Sequence, residues 1–260
     1  MELGLTGKAA LITGASRGIG AAVAAELARE GVHVCLVARD ADKLNGVASR
    51  LTNARVRTAV HVADLREPQA AAVAVAAAVE AFGRLDILVN NAGATKRADF
   101  FALTDEDFHD GFELKFHGAV RATRAAWPHL RATSGAIINI VGVGARSGAA
   151  DFTIGGAVNA AVLNFTKAMA DIGIQQGVRV NAINPGLIAT DRFNGNVERM
   201  MRERSMTRQQ AIAARLATHG TTRVGQPGEI GALAAFLASG RAEFVQGALI
   251  DIDGGATRAL

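Results

Sequence analysis

Short apolar runs alternate along the chain with longer stretches whose apolar positions recur every three or four residues, a pattern that predicts an α/β architecture. The run AALIT at 9–13 predicts a first strand, and the alanine-rich stretch from Ile19 to Arg29 predicts a helix beyond a glycine cluster. The same order then repeats. VHVCLVA precedes a polar helix from Ala41, VRTAVHV precedes a helix after Pro68, and LDILVN, AIINIV, VRVNAIN and ALIDI supply the remaining strands. Seven strands separated by helices predict a mostly parallel, doubly wound sheet. Pro68, Pro128, Pro185 and Pro227 fall where an element should begin or end. One polar, helical-looking segment, 189–222, breaks the alternation and is expected to form a lid inserted over a ligand site.

Composition narrows the class. A chain of 260 residues, half of them apolar, suffices for one sizeable core, so 1–260 reads as a single domain. No stretch approaches the ~18 uninterrupted apolar residues of a membrane span, and the start MELGLTGKAALITG lacks the basic region and cleavage site of a signal peptide. A soluble, cytoplasmic protein that engages no membrane is expected. The net charge of +4 comes without aromatic-studded basic patches, so nucleic acid is not an expected partner. The lone Cys35 lies in an apolar run and reads as a buried thiol, and the six histidines are dispersed without ligand spacing, so no metal is expected.

The first strand runs into Thr13-Gly14-Ala15-Ser16-Arg17-Gly18-Ile19-Gly20. Glycine has no Cβ and a helix N-terminus offers unpaired N–H groups, so backbone there can approach a pyrophosphate closely. With this motif the chain resembles the short-chain dehydrogenase/reductase family, whose glycine motif is TGxxxGxG, and the likeness extends over essentially the whole sequence. Asp64 in VADL, followed by Leu65, matches the family aspartate near the adenine, and Asn90-Asn91-Ala92-Gly93 matches its NNAG. Asn184-Pro185-Gly186, with Ile188 and Thr190, matches the PGxxxT that cradles the nicotinamide, and Asp253-Gly254-Gly255 matches a C-terminal DGG. The resemblance implies a Rossmann-type fold, a dinucleotide held by these residues, a small-molecule substrate, and assembly into a homodimer or homotetramer. At the end of the second strand, Val37-Ala38-Arg39 places no acid at the ribose corner. Arg39 and Arg17 instead offer guanidinium groups to a 2′-phosphate, so NADP(H) is the expected cofactor and NAD(H) the alternative.

The chemical end departs from the family. There, a tyrosine donates the proton, a lysine four residues later lowers its pKa, a serine binds the carbonyl and an asparagine organises a water relay. In the register set by Ala160-Ala161-Val162-Leu163-Asn164-Phe165-Thr166-Lys167, Asn159 stands at the lysine, Gly155 at the tyrosine and Gly142 at the serine. Lys115 in Leu114-Lys115-Phe116-His117-Gly118 stands at the asparagine. The chain contains no tyrosine at all, so phenol-based proton transfer is excluded whatever the register. Lysine and asparagine have thus exchanged helices. Helical spacing places Lys115 and Asn159 on inward, apolar stripes, where each needs a polar partner. One expectation follows: Lys115 enters the pocket from the opposite wall, as proton donor or as charge beside the cofactor, while Asn159 bonds the ribose.

Glycines at 142 and 155 are expected to widen the pocket. Arg146, Ser147, Asp151 and Thr153 lie in the preceding loop, within reach of a substrate. Arg192, Arg199, Arg202, Arg204, Arg208 and Arg215, interleaved with Met200, Met201 and Met206, suit a substrate of anionic or acyl-like character. Three functions compete: an atypical NADP(H)-dependent oxidoreductase, a cofactor-binding sensor or structural protein without redox chemistry, and a non-redox lyase or isomerase using Lys115 as base or nucleophile.

Overall fold

A computed structural model describes residues 2–51 and 55–258. Each apolar run becomes a strand: β1 (Ala9–Thr13), β2 (His33–Ala38), β3 (Thr58–Val62), β4 (Ile87–Asn90), β5 (Ala136–Ile140), β6 (Arg179–Pro185) and β7 (Leu249–Ile252). They form one parallel sheet in the order β3-β2-β1-β4-β5-β6-β7. The central strands are buried on both faces, which is why they read as apolar runs rather than alternating ones. Successive residues serve opposite layers: Ile12 packs with Val23, Leu27, Val34 and Ile230, whereas Leu11 packs with Val75, Leu88, Leu130 and Ile137. Cys35 belongs to the second layer, where burial pushes its thiol up to about 12 and leaves it inert.

Helices α1 (Gly18–Arg29), α2 (Ala41–Ala48) and α9 (Pro227–Ala238) supply residues to the first layer, and α3 (Ala70–Phe82) and α5 (Gly118–Thr133) to the second. α4 (Asp105–Phe112) and α6 (Thr153–Gln176) complete the helices that flank the sheet. The alanine-biased run of α3 buries Ala71, Ala74, Val75, Ala78 and Phe82 along one stripe.

Two expectations about helices need correction. Pro128 does not mark a boundary but lies inside α5, where burial of Ala122, Ala126 and Leu130 carries the helix past the missing N–H. The stretch around Lys115 is not one regular α-helix either. α4 passes into a π-helical turn over Glu113–His117 before α5 begins, so the side chains there are rotated relative to an unbroken 3.6-residue period.

Segment 189–222 folds as α7 (Asp191–Arg204) and α8 (Arg208–His219), started by Thr190 and by a capping box of Thr207 with Gln210. The two helices share a small core of Phe193, Val197 and Ala211, with Met200, Met201 and Met206 packed against it. No helix among the described residues is long and apolar enough to cross a membrane, and no group of three or more His, Cys, Asp or Glu among them could hold a metal ion.

Candidate active site

The order of strands reverses between β1 and β4, and parallel sheets open a crevice at the carboxyl ends of the strands on either side of such a reversal. A cleft of about 1560 Å³ lies there, larger than the ~300–1,000 Å³ of a typical single-ligand pocket. Gly14, Ser16, Arg17, Gly18, Ile19, Arg39, Asp64 and Leu65 line it, as do Asn91, Ala92, Gly93, Pro185, Gly186, Ile188 and Thr190. Lys115, Gly142 and Asn159 line it too, whereas Gly20 and Gly155 do not.

At the glycine end the wall is made by backbone. Gly14 adopts a φ of +65°, and a Cβ on Gly20 would lie 2.4 Å from the Gly14 carbonyl oxygen, so a side chain there would push the turn apart. Asn91 donates its Nδ2 to the carbonyls of Thr13 (3.0 Å) and Gly14 (3.1 Å), and Thr13 Oγ1 accepts from the backbone N–H of Asn91 and Ala92. These side chains tie β1 to β4 and fix the loop. α1 begins behind Arg17 without a side-chain cap and with no acid in its first turn. Its leading N–H groups therefore suit a phosphate, and the cradle fits a dinucleotide.

Arg39 reaches Asp64 at 3.6 Å and Arg17 reaches Asp191 at 3.4 Å, so the two arginines are held by different carboxylates, one on the sheet side and one on α7. Sequence reasoning missed Lys43, which lines the same stretch from the first turn of α2. Asp40 beside it caps α2, accepting from the Lys43 backbone at 3.0 Å and from Lys43 Nζ at 2.6 Å. Asp253 likewise serves its own turn, accepting from the N–H groups of Gly255 and Thr257.

At the other end the wall is made by side chains. Lys115, in the π-helical turn, donates Nζ to Asn159 Oδ1 at 2.6 Å and to the Val141 carbonyl at 2.7 Å. Lys115 and Asn159 are thus bonded to each other, which supplies the partner each requires in a buried place. Burial, and next the nearby charge of Arg192, lower the Lys115 ammonium from the ordinary value of 10.5 to about 7. The Lys115 stem passes close over Gly93, whose Cβ would lie 2.9 Å from Lys115 Cδ.

The expected widening at 155 is absent. A Cβ on Gly155 would lie 2.0 Å from Cζ of Phe152, and one on Gly144 would lie 2.9 Å from Cε1 of the same ring. Phe152 has swung into the space beside α6 that a side chain at 155 would claim. At 142 the backbone is at φ +134°, and a Cβ would come within 3.3 Å of Asn159 Nδ2, so a serine there would be strained and crowded.

Loop and helix residues divide. Arg146 is turned to Asp251 (3.2 Å) and the Leu249 carbonyl (3.0 Å), Asp151 pairs with Arg97 at 2.6 Å, Ser147 lines the cleft, and Thr153 opens α6 with its hydroxyl buried. Of the arginines in 189–222, only Arg192 and Arg215 line the cleft, and the three methionines face the α7/α8 core rather than the pocket. Arg97, which the sequence reading did not single out, joins them.

A parallel α/β sheet with a glycine-turned, uncapped helix at its switch point is the architecture of a Rossmann-type dinucleotide-binding protein. The chain belongs to the short-chain dehydrogenase/reductase family: a family model described as Enoyl-(Acyl carrier protein) reductase matches residues 14–257. It is 34% identical to Oxidoreductase UcpA of Escherichia coli, over 97% of this chain and 95% of that one. It is 33% identical to acetoacetyl-CoA reductase of Shinella zoogloeoides, over 95% and 98%. The L-sorbose reductase of Gluconobacter frateurii, solved with NADPH and L-sorbose, superposes with a TM-score of 0.95 at 33% identity, covering all of both chains.

Proposed function

We propose that the protein is an NADP(H)-dependent oxidoreductase that interconverts a carbonyl compound and its alcohol through an atypical site in which Lys115 is the proton donor. The observation that carries this reading is the Lys115 Nζ–Asn159 Oδ1 bond of 2.6 Å at the cleft wall. NADPH, when bound, supplies a hydride to the carbonyl carbon. Two of the three ammonium protons of Lys115 are committed to Asn159 and Val141, which leaves one for the carbonyl oxygen. Passing it on yields the alcohol and a neutral amine, and an ammonium with a pKa of about 7 gives up its proton readily at neutral pH. Asn159 holds the amine in place and keeps its Nδ2 for a ribose hydroxyl. Gly142 and Gly155 stand where the family carries serine and tyrosine, so neither of those groups competes for the role.

Preference for NADP(H) is supported by Arg39, Arg17 and Lys43 along the adenine-side wall and by the NADPH carried by the L-sorbose reductase. A lid role for 189–222 is supported by two contacts across the cleft: Arg17 with Asp191, and Arg192 Nη2 donating to the Gly93 carbonyl at 2.8 Å. The test is NADPH oxidation over a panel of aldehydes, ketones and oxo acids with the parent and with Lys115→Met. Turnover that collapses in the variant while NADPH still binds supports the reading; undiminished turnover in Lys115→Met removes Lys115 from the mechanism. NADPH binding with no turnover on any carbonyl favours the binding-protein reading. Borohydride trapping of a carbonyl compound on Lys115 favours the lyase or isomerase.

A further inference from the structure

Beyond Lys115, the cleft carries positive charge that the chain does not balance. Arg97, in the loop after β4, pairs with Asp151 at 2.6 Å and lies 4.4 Å over the ring of Phe152. Arg192, in the first turn of α7, donates to the Gly93 carbonyl and has no carboxylate within 4.0 Å among the described residues. Arg215, on α8, lies 5.8 Å from the ring of Phe193, and its Nε is buried without a hydrogen-bond partner. All three line the same cleft, with Phe152 and Phe193 beside them.

The charge of Arg97 acts on both Arg192 and Arg215. Burial, then Arg17 and Arg97, depress Arg192; burial, then Arg97 and Arg199, depress Arg215, with Asp151 opposing. Arg192 thus lies within electrostatic range of both Arg17 and Arg97, and Arg215 within range of Arg97, all on the wall of one cleft. A cofactor pyrophosphate on the α1 N-terminus would answer Arg17 and Arg192. It would leave Arg97 and Arg215, which hold one carboxylate between them and one buried N–H unmet. Arginine stays charged at any working pH, so such a cluster is relieved by an anion rather than by deprotonation.

We propose that Arg97 and Arg215 form an anion subsite that takes the carboxylate of an oxo-acid substrate while its carbonyl faces Lys115. The carbonyl half of this statement rests on the reductase reading above; the carboxylate half does not. Two planar guanidinium forks match a planar carboxylate, and the rings of Phe152 and Phe193, each beside one of the two arginines, give the subsite an apolar flank. Phe152 thus joins the two halves of the site, since the ring that fills the space beside Gly155 is the one on which Arg97 rests.

Two measurements test it, both on the complex with nicotinamide cofactor. The first compares kcat/KM for NADPH oxidation on acetoacetate and on its methyl ester. The acid is expected to lead by roughly tenfold or more, and the acid-to-ester ratio is expected to fall toward one in Arg215→Met and in Arg97→Met, with Arg215→Lys retaining part of it. The second titrates the NADP⁺ complex calorimetrically with butyrate and with propyl phosphate, neither of which can be reduced. Butyrate is expected to bind, and to bind about tenfold more weakly in Arg215→Met. Equal use of acid and ester together with no butyrate binding overturns the subsite, and propyl phosphate binding more tightly than butyrate overturns the carboxylate assignment. Arg215-dependent butyrate binding without turnover of any oxo compound leaves the subsite standing and removes the reductase reading.

Discussion

At the glycine end of the cleft the contacts that give the wall its shape run through backbone: Gly20 against the Gly14 carbonyl, Asn91 on the carbonyls of Thr13 and Gly14, and the uncapped start of α1. The opposite end is held by side chains, two of whose contacts reach over long sequence separations, 44 residues from Lys115 to Asn159 and 54 from Arg97 to Asp151. Lys115 meets Asn159, Arg97 meets Asp151, and Phe152 covers Gly155. A backbone cradle recognises what every dinucleotide shares, and few substitutions are compatible with it. A side-chain wall can be rebuilt residue by residue while the cradle stands. Substitution of Lys115 itself should therefore alter chemistry with little effect on cofactor binding.

The largest expected effect breaks the comparison if it fails. Lys115→Met should lower carbonyl reduction by about 10²–10⁴-fold, the usual contribution of a positioned acid, with the NADPH dissociation constant moving far less. Steady-state kinetics beside a fluorescence titration of NADPH measure the two separately. In the parent, reduction should decline as pH rises through the Lys115 pKa, about 7 in the unliganded chain, because the donor is then deprotonated.

Stability carries the opposite dependence. The folded pKa of Lys115 is lowered from 10.5 to about 7. Below 7 both folded and unfolded chains hold the proton, and the folded chain bears the whole cost of a buried ammonium. Between 7 and 10.5 only the unfolded chain holds it, so stability rises with pH, and above 10.5 the gain is complete. Relative to Lys115→Met, the parent without cofactor should gain roughly 2–5 kcal/mol between pH 6 and pH 10. Denaturant unfolding at the two values measures it, and a difference that stays constant across the range shows that Lys115 is not held in a depressed state.

Much of the glycine end is legible in the sequence because its demands fall on residue types: no Cβ at 14 and 20, an asparagine at 91 able to bond two carbonyls. The strands are legible because the central ones are buried on both faces and most positions along them are apolar. The inward placement of Lys115 and Asn159 is legible from the apolar stripes of their helices, but their direct bond depends on the π-helical turn, which no periodicity announces. Pro128 misleads for a related reason, since the buried stripe of α5 outweighs its local signal. Phe152 could not be placed, because a glycine in the sequence leaves a gap without saying which neighbouring ring rotates into it. Arg97 is a loop residue whose partner, Asp151, lies far along the chain.

Phe152 offers the next test of a wall built from side chains. Gly155→Ala gains up to about 1 kcal/mol in helix propensity but collides with the Phe152 ring, an overpacking cost of roughly 1–3 kcal/mol. It should destabilise the parent and stabilise Phe152→Ala, so the two substitutions couple in a double-mutant cycle read by unfolding free energies. Additive effects would mean that the ring does not occupy the space at 155.

The smallest effect sharpens the glycine end, where the comparison assigns shape to backbone and leaves only cofactor choice to side chains. Arg39 is exposed, at 67% for its side chain, and its contact with Asp64 is long at 3.6 Å. Exposed pairs of that kind contribute about 0–1 kcal/mol, so Arg39→Ala should leave the melting temperature nearly unchanged. Its guanidinium is released to a 2′-phosphate at little cost, and its removal should reduce the preference for NADPH over NADH by about tenfold. The change should fall on NADPH alone, because NADH has no phosphate for Arg39 to meet. It should shrink at high salt, where an exposed charge is screened. Dissociation constants for both cofactors at low and high salt decide it. Equal weakening of NADPH and NADH would instead mean that Arg39 acts by shaping the loop, and the division between a backbone cradle and a side-chain selector would have to be redrawn.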